Sequence, residues 1–429
     1  MTSASSAFQD QQFPRGSSSD KTLLSLDAAI QRALDIAETV ENVEDLSLLS
    51  VALDERLLKR SMQQWICRPS TLRRWTVTPF RLGRLSGDSP WTFPIIDCLL
   101  AGDDPDGISH SGAVRIMTGA PIPTGSDAVV MPEHVERGEQ SITVTKRPKE
   151  GLNIRRRGED ARPGDRLHNP GREIGARELA ALSAIGRTTV SVRRWLEVTL
   201  ICTGLELVQP GVPLSDGQIY NSNRYAMLAD LSKSWINLTD YGAIPDDVTR
   251  LTSALFKASK TADVIIITGG MSVGDADYLP RLFEQLGGGS AAIKVAMKPG
   301  KPLTVGRLGA TIFLGLPGNP VSVFTTFALI GARTLRRRAG FSDSLPIRSH
   351  ARVNFSLRRR PGRVEFRPAT IIGYAGPTAV LSVVESGFSA RISALASASR
   401  FAVFPPGLTE LAPGNTCDFI PFSPVAARY

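Results

Sequence analysis

The sequence predicts a multidomain chain: a central doubly wound α/β domain, N-terminal mostly-β domains and a small C-terminal β domain. Three observations carry this. Between Leu196 and Leu335, continuous apolar runs alternate with segments of helical spacing, the pattern of a parallel sheet covered by helices on both faces. On either side, over 111–190 and after Arg338, the apolar runs are short and punctuated by Gly and Pro, which favours strands and turns. Finally, 429 residues with 42% hydrophobic and 21% charged content can fill several cores, at roughly 100–200 residues each.

The elements follow in order. Residues 1–20, rich in Ser, Gln, Asp and Gly, are expected to be a disordered tail. The region 21–190 opens with a helix over 22–40, where apolar residues recur at helical spacing and Ser25 can act as N-cap. It continues as short strands and turns (RIMTGAPIP, DAVVMPEHVE, ITVTKRP, GLNIRRRGED), with a short helix over 175–185. The α/β domain is bounded at 195–340. Its strands are expected at 198–202, 236–244, 263–268, 291–297 and 311–316, and its helices near 223–233, 246–260, 278–286 and 321–335. A C-terminal β domain, 345–429, closes the chain.

Composition excludes several functions. No apolar run approaches the roughly 20 residues that span a bilayer, and the N-terminus lacks a basic-then-apolar signal. Four Cys (67, 98, 202, 417) and four His (110, 134, 168, 350) are scattered without ligand spacing. That disfavours a zinc site or a disulfide framework, and the expected location is the cytoplasm. The net charge of +9 suggests nucleic acid until it is mapped. Residues 56–84 hold eight Arg/Lys and no Asp or Glu, leaving only +1 on the other 400 residues. A localised charge on no recognisable nucleic-acid fold is not a binding face.

Four loops of the α/β domain carry the chemistry: Thr203–Glu206, Thr268–Asp277, Lys298–Pro302 and Gly315–Pro320. Each follows a strand, and ligands of open α/β sheets bind beyond the carboxyl ends of the strands. Glycine lets the backbone approach an anion, and successive N–H groups or a helix N-terminus can cradle a phosphate. Gly269, Gly270 and Ser272 would supply such a cradle, and Lys294, Lys298 and Lys301 positive charge. Glu206, Asp246, Asp275 and Asp277 could hold Mg²⁺, a cation that prefers oxygen ligands. Taken singly, each loop can also be an ordinary turn, Asp277 a helix N-cap, and Arg155–Arg157 a solvated charge run.

At this point the motifs together resemble the molybdopterin molybdenumtransferases, the MoeA family, which is also similar to the gephyrin E domain. The matching segments are RIMTGAPIP (115–123), NIRRRGED (153–160), SDGQIYNSN (215–223), TGGMSVGDADY (268–278), MKPGKP (297–302), GLPGNPVS (315–322) and RRRPGRVEF (358–366), in family order. The resemblance implies an α/β domain of the molybdopterin-binding type and a defined reaction. Adenylated molybdopterin and molybdate bind, molybdenum enters the dithiolene, and AMP leaves, with Mg²⁺ required. It also implies a homodimer, with contact to a molybdopterin-adenylating protein. By motif, Glu206, Asp277 and Asp160 are catalytic. Glu206, Asp246 and Asp277 hold the metal. Thr118, Arg155, Lys294, Lys298, Pro317, Pro320 and Ser393 join the glycines and Ser272 around the substrate. The alternative is a non-catalytic molybdopterin-binding or scaffold protein.

Two departures stand out. The family's TG-x-E loop usually has Asp before Glu, and here that position is Leu205. The family also has an N-terminal segment reading roughly D-x-P-x-F-D-x-S-A-M-D-G-Y-A, whose later Asp the resemblance makes catalytic. The chain has instead the basic stretch 56–84. The genetic code connects the two. If the last base of each codon is joined to the first two of the next, Trp65-Ile66 forces GAT and Trp75-Thr76 forces GAC, both Asp. With permitted synonymous codons, Trp65 through Phe80 becomes D-L-P-P-F-D-T-S-A-M-D-G-Y-A-V, the missing motif in its expected place. The local Arg excess, and three of the five Trp (65, 75 and 91), also suit an out-of-frame reading of about 55–85. As written, the chain lacks that Asp, and neither Asp54 nor Asp88 replaces it.

Overall fold

A computed structural model describes residues 23–54, 61–62, 65–66, 78–80, 83, 85–105, 112–156, 158–270, 278–342, 348–384 and 391–422. The tail 1–20, most of the basic stretch and the loop residues Ser272, Asp275 and Asp277 lie outside the described residues. The chain forms two compact units. One comprises Met1–Gln63, Pro170–Gly175 and Thr189–Tyr429; the other comprises Gln64–Asn169 and Ala176–Thr188.

The first unit is built on a six-stranded sheet. Its strands in chain order are β1 (Leu196–Thr203), β2 (Ile236–Ile244), β3 (Val264–Thr268), β4 (Gly289–Lys294), β5 (Pro302–Leu308) and β6 (Thr311–Leu316). Their spatial order is β2-β1-β3-β6-β5-β4. The first four are parallel. The last two form an antiparallel edge. The helices are α1 (Ser222–Leu231), α2 (Val248–Ala258), α3 (Tyr278–Gln285) and α4 (Pro320–Thr326), which runs through a π-turn at Phe327–Gly331 into Ala332–Arg338.

Burial on both faces explains the unbroken apolar runs. Along β3, Val264 and Ile266 pack into one core with Leu314 and Phe327, while Ile265 and Ile267 pack into the opposite core with Leu251, Phe283 and Phe313. The Phe283 and Phe313 rings meet at 3.9 Å. The sheet departs from the sequence reading at its edge. Strand β5 was not expected, because Pro302 and Gly306 interrupt its apolar pattern. It returns antiparallel through the two-residue turn Gly309-Ala310. The run expected as one strand over 291–297 divides: β4 ends at Lys294, and Met297–Lys298 leaves the sheet to pair with Val364–Glu365.

The N-terminal helix, Leu26–Asp35, belongs to this unit. The Ser25 hydroxyl caps it by accepting from the Ala28 N–H at 3.2 Å. Its buried Leu26, Ala29, Ile30 and Ala33 face the core that holds Val264 and Leu314. At the amino ends of the strands Arg194 grips Asp263 with two hydrogen bonds, 2.7 and 2.8 Å, and the Glu197 N–H donates to the same carboxylate. Such a bidentate pair fixes strand register at the end opposite the carboxyl-end loops.

The C-terminal strands close a barrel in which Val364–Ala375 pairs with both Thr378–Val383 and Arg400–Phe404. The second unit holds a four-stranded sheet of Trp91–Leu99, Ala113–Ile116, Val135–Arg137 and Ser141–Val144, with a helix at Ala176–Ala184. Truncating Phe313→Ala removes the ring that fills one sheet face. It should lower the unfolding free energy by about 3–5 kcal/mol in a denaturant titration, with the far-ultraviolet spectrum unchanged in buffer.

Candidate functional site

The site of the first unit assembles at the carboxyl ends of the parallel strands. Strand β1 ends at Thr203, β3 at Thr268 and β6 at Leu316. Each is followed by one of the Gly-containing loops, and the glycines let those loops touch. At Gly269 (φ +91°) a Cβ would collide with the Thr203 carbonyl, so this position requires glycine on grounds of both space and backbone. A Cβ on Gly318 would lie 3.8 Å from the Gly269 Cα. The Asn223 side chain of α1 donates to the Gly318 carbonyl at 2.7 Å and holds the Gly315–Pro320 loop in place. Pro320 then occupies the first turn of α4, where a missing N–H costs nothing.

At these three strand ends the buried oxygens Thr203 Oγ1, Thr268 Oγ1 and Asn319 Oδ1 have no hydrogen-bond partner among the described residues. Buried polar groups are normally paired, so acceptors left open on the touching loops are what a ligand-binding rim requires. Asn319 stands at the N-cap of α4 without a side-chain capping bond.

The lysine segment lies on the antiparallel side and is held from three directions. The Leu24 N–H donates to Lys294 O at 2.9 Å, and the Ala296 N–H to Leu24 O at 2.7 Å. The Val364 N–H donates to Ala296 O at 3.0 Å. The Val295 N–H closes the loop onto Lys301 O at 2.7 Å. Gly300 is buried against Thr326 of α4, leaving no room for a side chain. Lys294 is half-buried, and Lys298 and Lys301 are exposed.

Lys298 also meets a carboxylate that sequence reasoning missed. Glu365 is 6% exposed. Its Oε1 accepts from Arg367 Nε at 2.9 Å and lies 3.4 Å from Lys298 Nζ, and its Oε2 lies 3.2 Å from Arg359 Nε. Burial pushes the Glu365 carboxyl up, but the Arg367 hydrogen bond and the charges of Arg367 and Lys298 outweigh it, so its pKa falls below the ordinary value. The signal was present in RRRPGRVEFR: a single acid among arginines.

The other expected residues are placed as follows. Glu206 is exposed, its carboxylate folded over Gly204 where a Cβ would sit 2.7 Å away. Asp246 is exposed and lies two residues beyond Ile244, which pairs in register with Thr203. Glu206 and Asp246 thus follow the carboxyl ends of neighbouring strands. Gly270 follows Gly269 in the left-handed region (φ +63°), and Pro317 is buried. Ser393 is exposed on the helix Ile392–Ala396, which packs against α4. Ser272 and Asp277 fall outside the described residues.

Thr118, Arg155 and Asp160 belong to the second unit. Thr118 is exposed in the turn that ends Ala113–Ile116, and Arg155 pairs with Asp160 at 3.4 Å. Ile116 and Ala120, which flank Thr118, share an apolar cluster with Ile154, the neighbour of Arg155. That cluster brings the two loops onto one core.

Comparison with known proteins gives a consistent result. Residues 199–337 match the model of a probable molybdopterin binding domain, 84–186 the MoeA N-terminal region (domain I and II), and 350–422 the MoeA C-terminal region (domain IV). The chain is 37% identical over 314 residues to the molybdopterin molybdenumtransferase of Haemophilus influenzae, covering 72% of this chain and 77% of the relative. It is 35% identical over 312 residues to molybdopterin molybdenumtransferase 2 of Mycobacterium tuberculosis, covering 71% and 75%. Among solved structures, a molybdopterin biosynthesis MoeA protein from Pyrococcus horikoshii is 26% identical, with a TM-score of 0.72 over 94% of this chain and all of that one.

Two outcomes follow from the geometry. Gly269→Ala should destabilise the chain by about 1–3 kcal/mol through backbone strain and displaced loops. Gly373→Ala, at a position with open space and no positive φ, should stay within about 0.5 kcal/mol of the parent when both variants are unfolded with denaturant. For Glu365 the depressed pKa means that its stabilising contribution is complete above the unfolded value, near 4.5, and is lost as pH falls through the lower folded value. The difference in unfolding free energy between the parent and Glu365→Gln should be full at neutral pH and shrink on acidification below 4.5.

Proposed function

The chain belongs to the molybdopterin molybdenumtransferase family, and we propose that it inserts molybdenum from molybdate into adenylated molybdopterin with release of AMP. The observation that carries this reading is the convergence of the Gly-containing loops at the carboxyl ends of the parallel strands, beside a segment bearing three lysines. An adenylated pterin phosphate and a molybdate dianion are both oxyanions. Backbone N–H groups around Gly269 and Gly270, with Lys294 and Lys298, suit them. Pro317 and Pro320 stiffen the loop that faces them. The names of the relatives support the transferase chemistry and favour it over a purely binding role.

Mg²⁺ fits the donor set: Glu206, Asp246 and Asp277 offer only carboxylate oxygens, the ligands a hard cation takes. When bound, the ion would neutralise phosphate charge. In this proposal Glu206, Asp277 and Asp160 are the catalytic residues. Thr118, Arg155 and Ser393 are assigned to substrate binding. Work in the cytoplasm as a homodimer, receiving substrate from a molybdopterin-adenylating protein, completes the reading.

We extend it to the basic stretch: residues about 55–85 are translated from a shifted frame that replaces the family's D-G-Y-A segment. The match to the MoeA N-terminal region begins only at residue 84, where that stretch ends. Resequencing codons 50–100 tests this directly. A base gained or lost on resequencing restores the segment, whereas an unchanged reading makes this a chain without that Asp. In turnover assays with adenylated molybdopterin, molybdate and Mg²⁺, the chain as it stands should bind the adenylate yet release no AMP, and the frame-restored chain should release it. A restored, folded chain that binds but yields no AMP would overturn the transferase reading.

A further inference from the structure

Glu365 sits in a charge arrangement that is unbalanced. One carboxylate meets three cations: Arg367 and Lys298 at Oε1 (2.9 and 3.4 Å) and Arg359 at Oε2 (3.2 Å). The three cations are not equivalent. The Arg359 side chain is 6% exposed, and its terminal nitrogens donate to the backbone carbonyls of Pro405, Leu408 and Arg363. It is an anchor bound into the backbone of its own barrel. The Lys298 side chain is 51% exposed and that of Arg367 32%. Lys298 therefore reaches the carboxylate while half of its side chain stays open to solvent. Backbone register enforces the meeting, because Lys298 pairs directly with Glu365 across the short parallel ladder.

We propose that Glu365 is a positioning residue: from the C-terminal barrel it holds the Lys298 ammonium in place to receive an oxyanion of the substrate. This rests on the reading of Lys298 as an oxyanion ligand. A lysine carries a flexible four-carbon stem and loses rotamer freedom when it binds. An anchor that fixes the ammonium beforehand removes part of that cost. Three cations around one carboxylate leave a surplus of two positive charges, so the anchor does not cancel the attraction for an anion.

The sign of one substitution separates positioning from simple charge balance. Glu365→Gln adds a unit of net positive charge beside Lys298. If Glu365 only offset the cations, the variant would bind an oxyanion more tightly. If it positions Lys298, the variant binds more weakly. The measurement is calorimetric titration of the full chain with adenylated molybdopterin, for the parent, Glu365→Gln, Glu365→Asp, Lys298→Ala and the Glu365→Gln/Lys298→Ala double variant. Each single loss, Glu365→Gln and Lys298→Ala, is expected at about tenfold, with the double variant within about twofold of Lys298→Ala, since the two residues act through one contact. Glu365→Asp keeps the charge and should recover part of the affinity. Tighter binding by Glu365→Gln, or single losses that multiply to about a hundredfold in the double variant, would overturn the proposal. If Glu365→Gln does not fold, the same cycle is run with Glu365→Asp, whose loss must vanish in the Lys298→Ala background. A parent chain that binds no adenylate overturns the function proposed above, and this inference with it. A parent that binds and a Glu365→Gln variant that binds equally well overturns this inference alone.

Discussion

The backbone pairing around Ala296 is the constraint on which the rest of the first unit depends. Its N–H donates to Leu24 at the start of the chain and its carbonyl accepts from Val364 in the C-terminal barrel. One residue thus joins three stretches far apart in sequence. On one side of it β4 ends at Lys294, and on the other Lys298 is paired with Glu365. Hydrogen bonds between main-chain groups cannot slide by one position without turning the side chains over. The lysines are held by the architecture of the unit, not by a local turn.

That constraint works with a second one at the carboxyl ends of the parallel strands. The central strands β3 and β6, buried on both faces, carry no charged side chain, so charge collects in the loops. The loops beyond β1, β3 and β6 are brought into contact by glycines at Gly269 and Gly318. The lysine segment reaches the same neighbourhood through Gly300, buried against α4. The helix of Ser393 packs on α4 as well. Helix α4, with its π-turn, is the element on which the barrel, the lysine loop and the Gly315–Pro320 loop meet, and a π-turn is a frequent companion of functional sites. Within it the Phe327 ring lies against Gly331, where a Cβ would lie 2.6 Å from it.

Electrostatics divide along the same lines. At the amino ends of the strands, Arg194 and Asp263 form a closed pair whose hydrogen bonds are spent on structure. At the other pole the Glu365 cluster is open, with an exposed ammonium and a half-buried guanidinium on one buried acid. A closed pair holds register, while an open one keeps attraction for an incoming anion.

Much of this was legible in the sequence. Runs such as VIIIT declare a doubly covered parallel strand because burial on both faces removes the polar alternation. Ser25 marks a helix start because its hydroxyl can accept from the first-turn N–H groups. The Gly-rich loops mark the places where strand ends come together because only glycine permits the positive φ and close approach seen at Gly269. The family motifs place Glu206, Lys298 and Pro317 because their spacing follows those loops. Other features had no local signal. Strand β5 carries Pro and Gly, and its strand character comes from pairing with β6 and β4. The division of 291–297 into two ladders depends on partners at Leu24 and Val364. Glu365 reads as one acid in a basic run until the barrel folds it under Lys298. The sequence alone determined most strands and helices of the α/β domain and the Gly-containing loops at the strand ends, since these follow from local periodicity and backbone freedom. Only the tertiary structure decided which charges meet, because a contact between Lys298 and Glu365 depends on hydrogen bonds between strands that sequence distance does not encode.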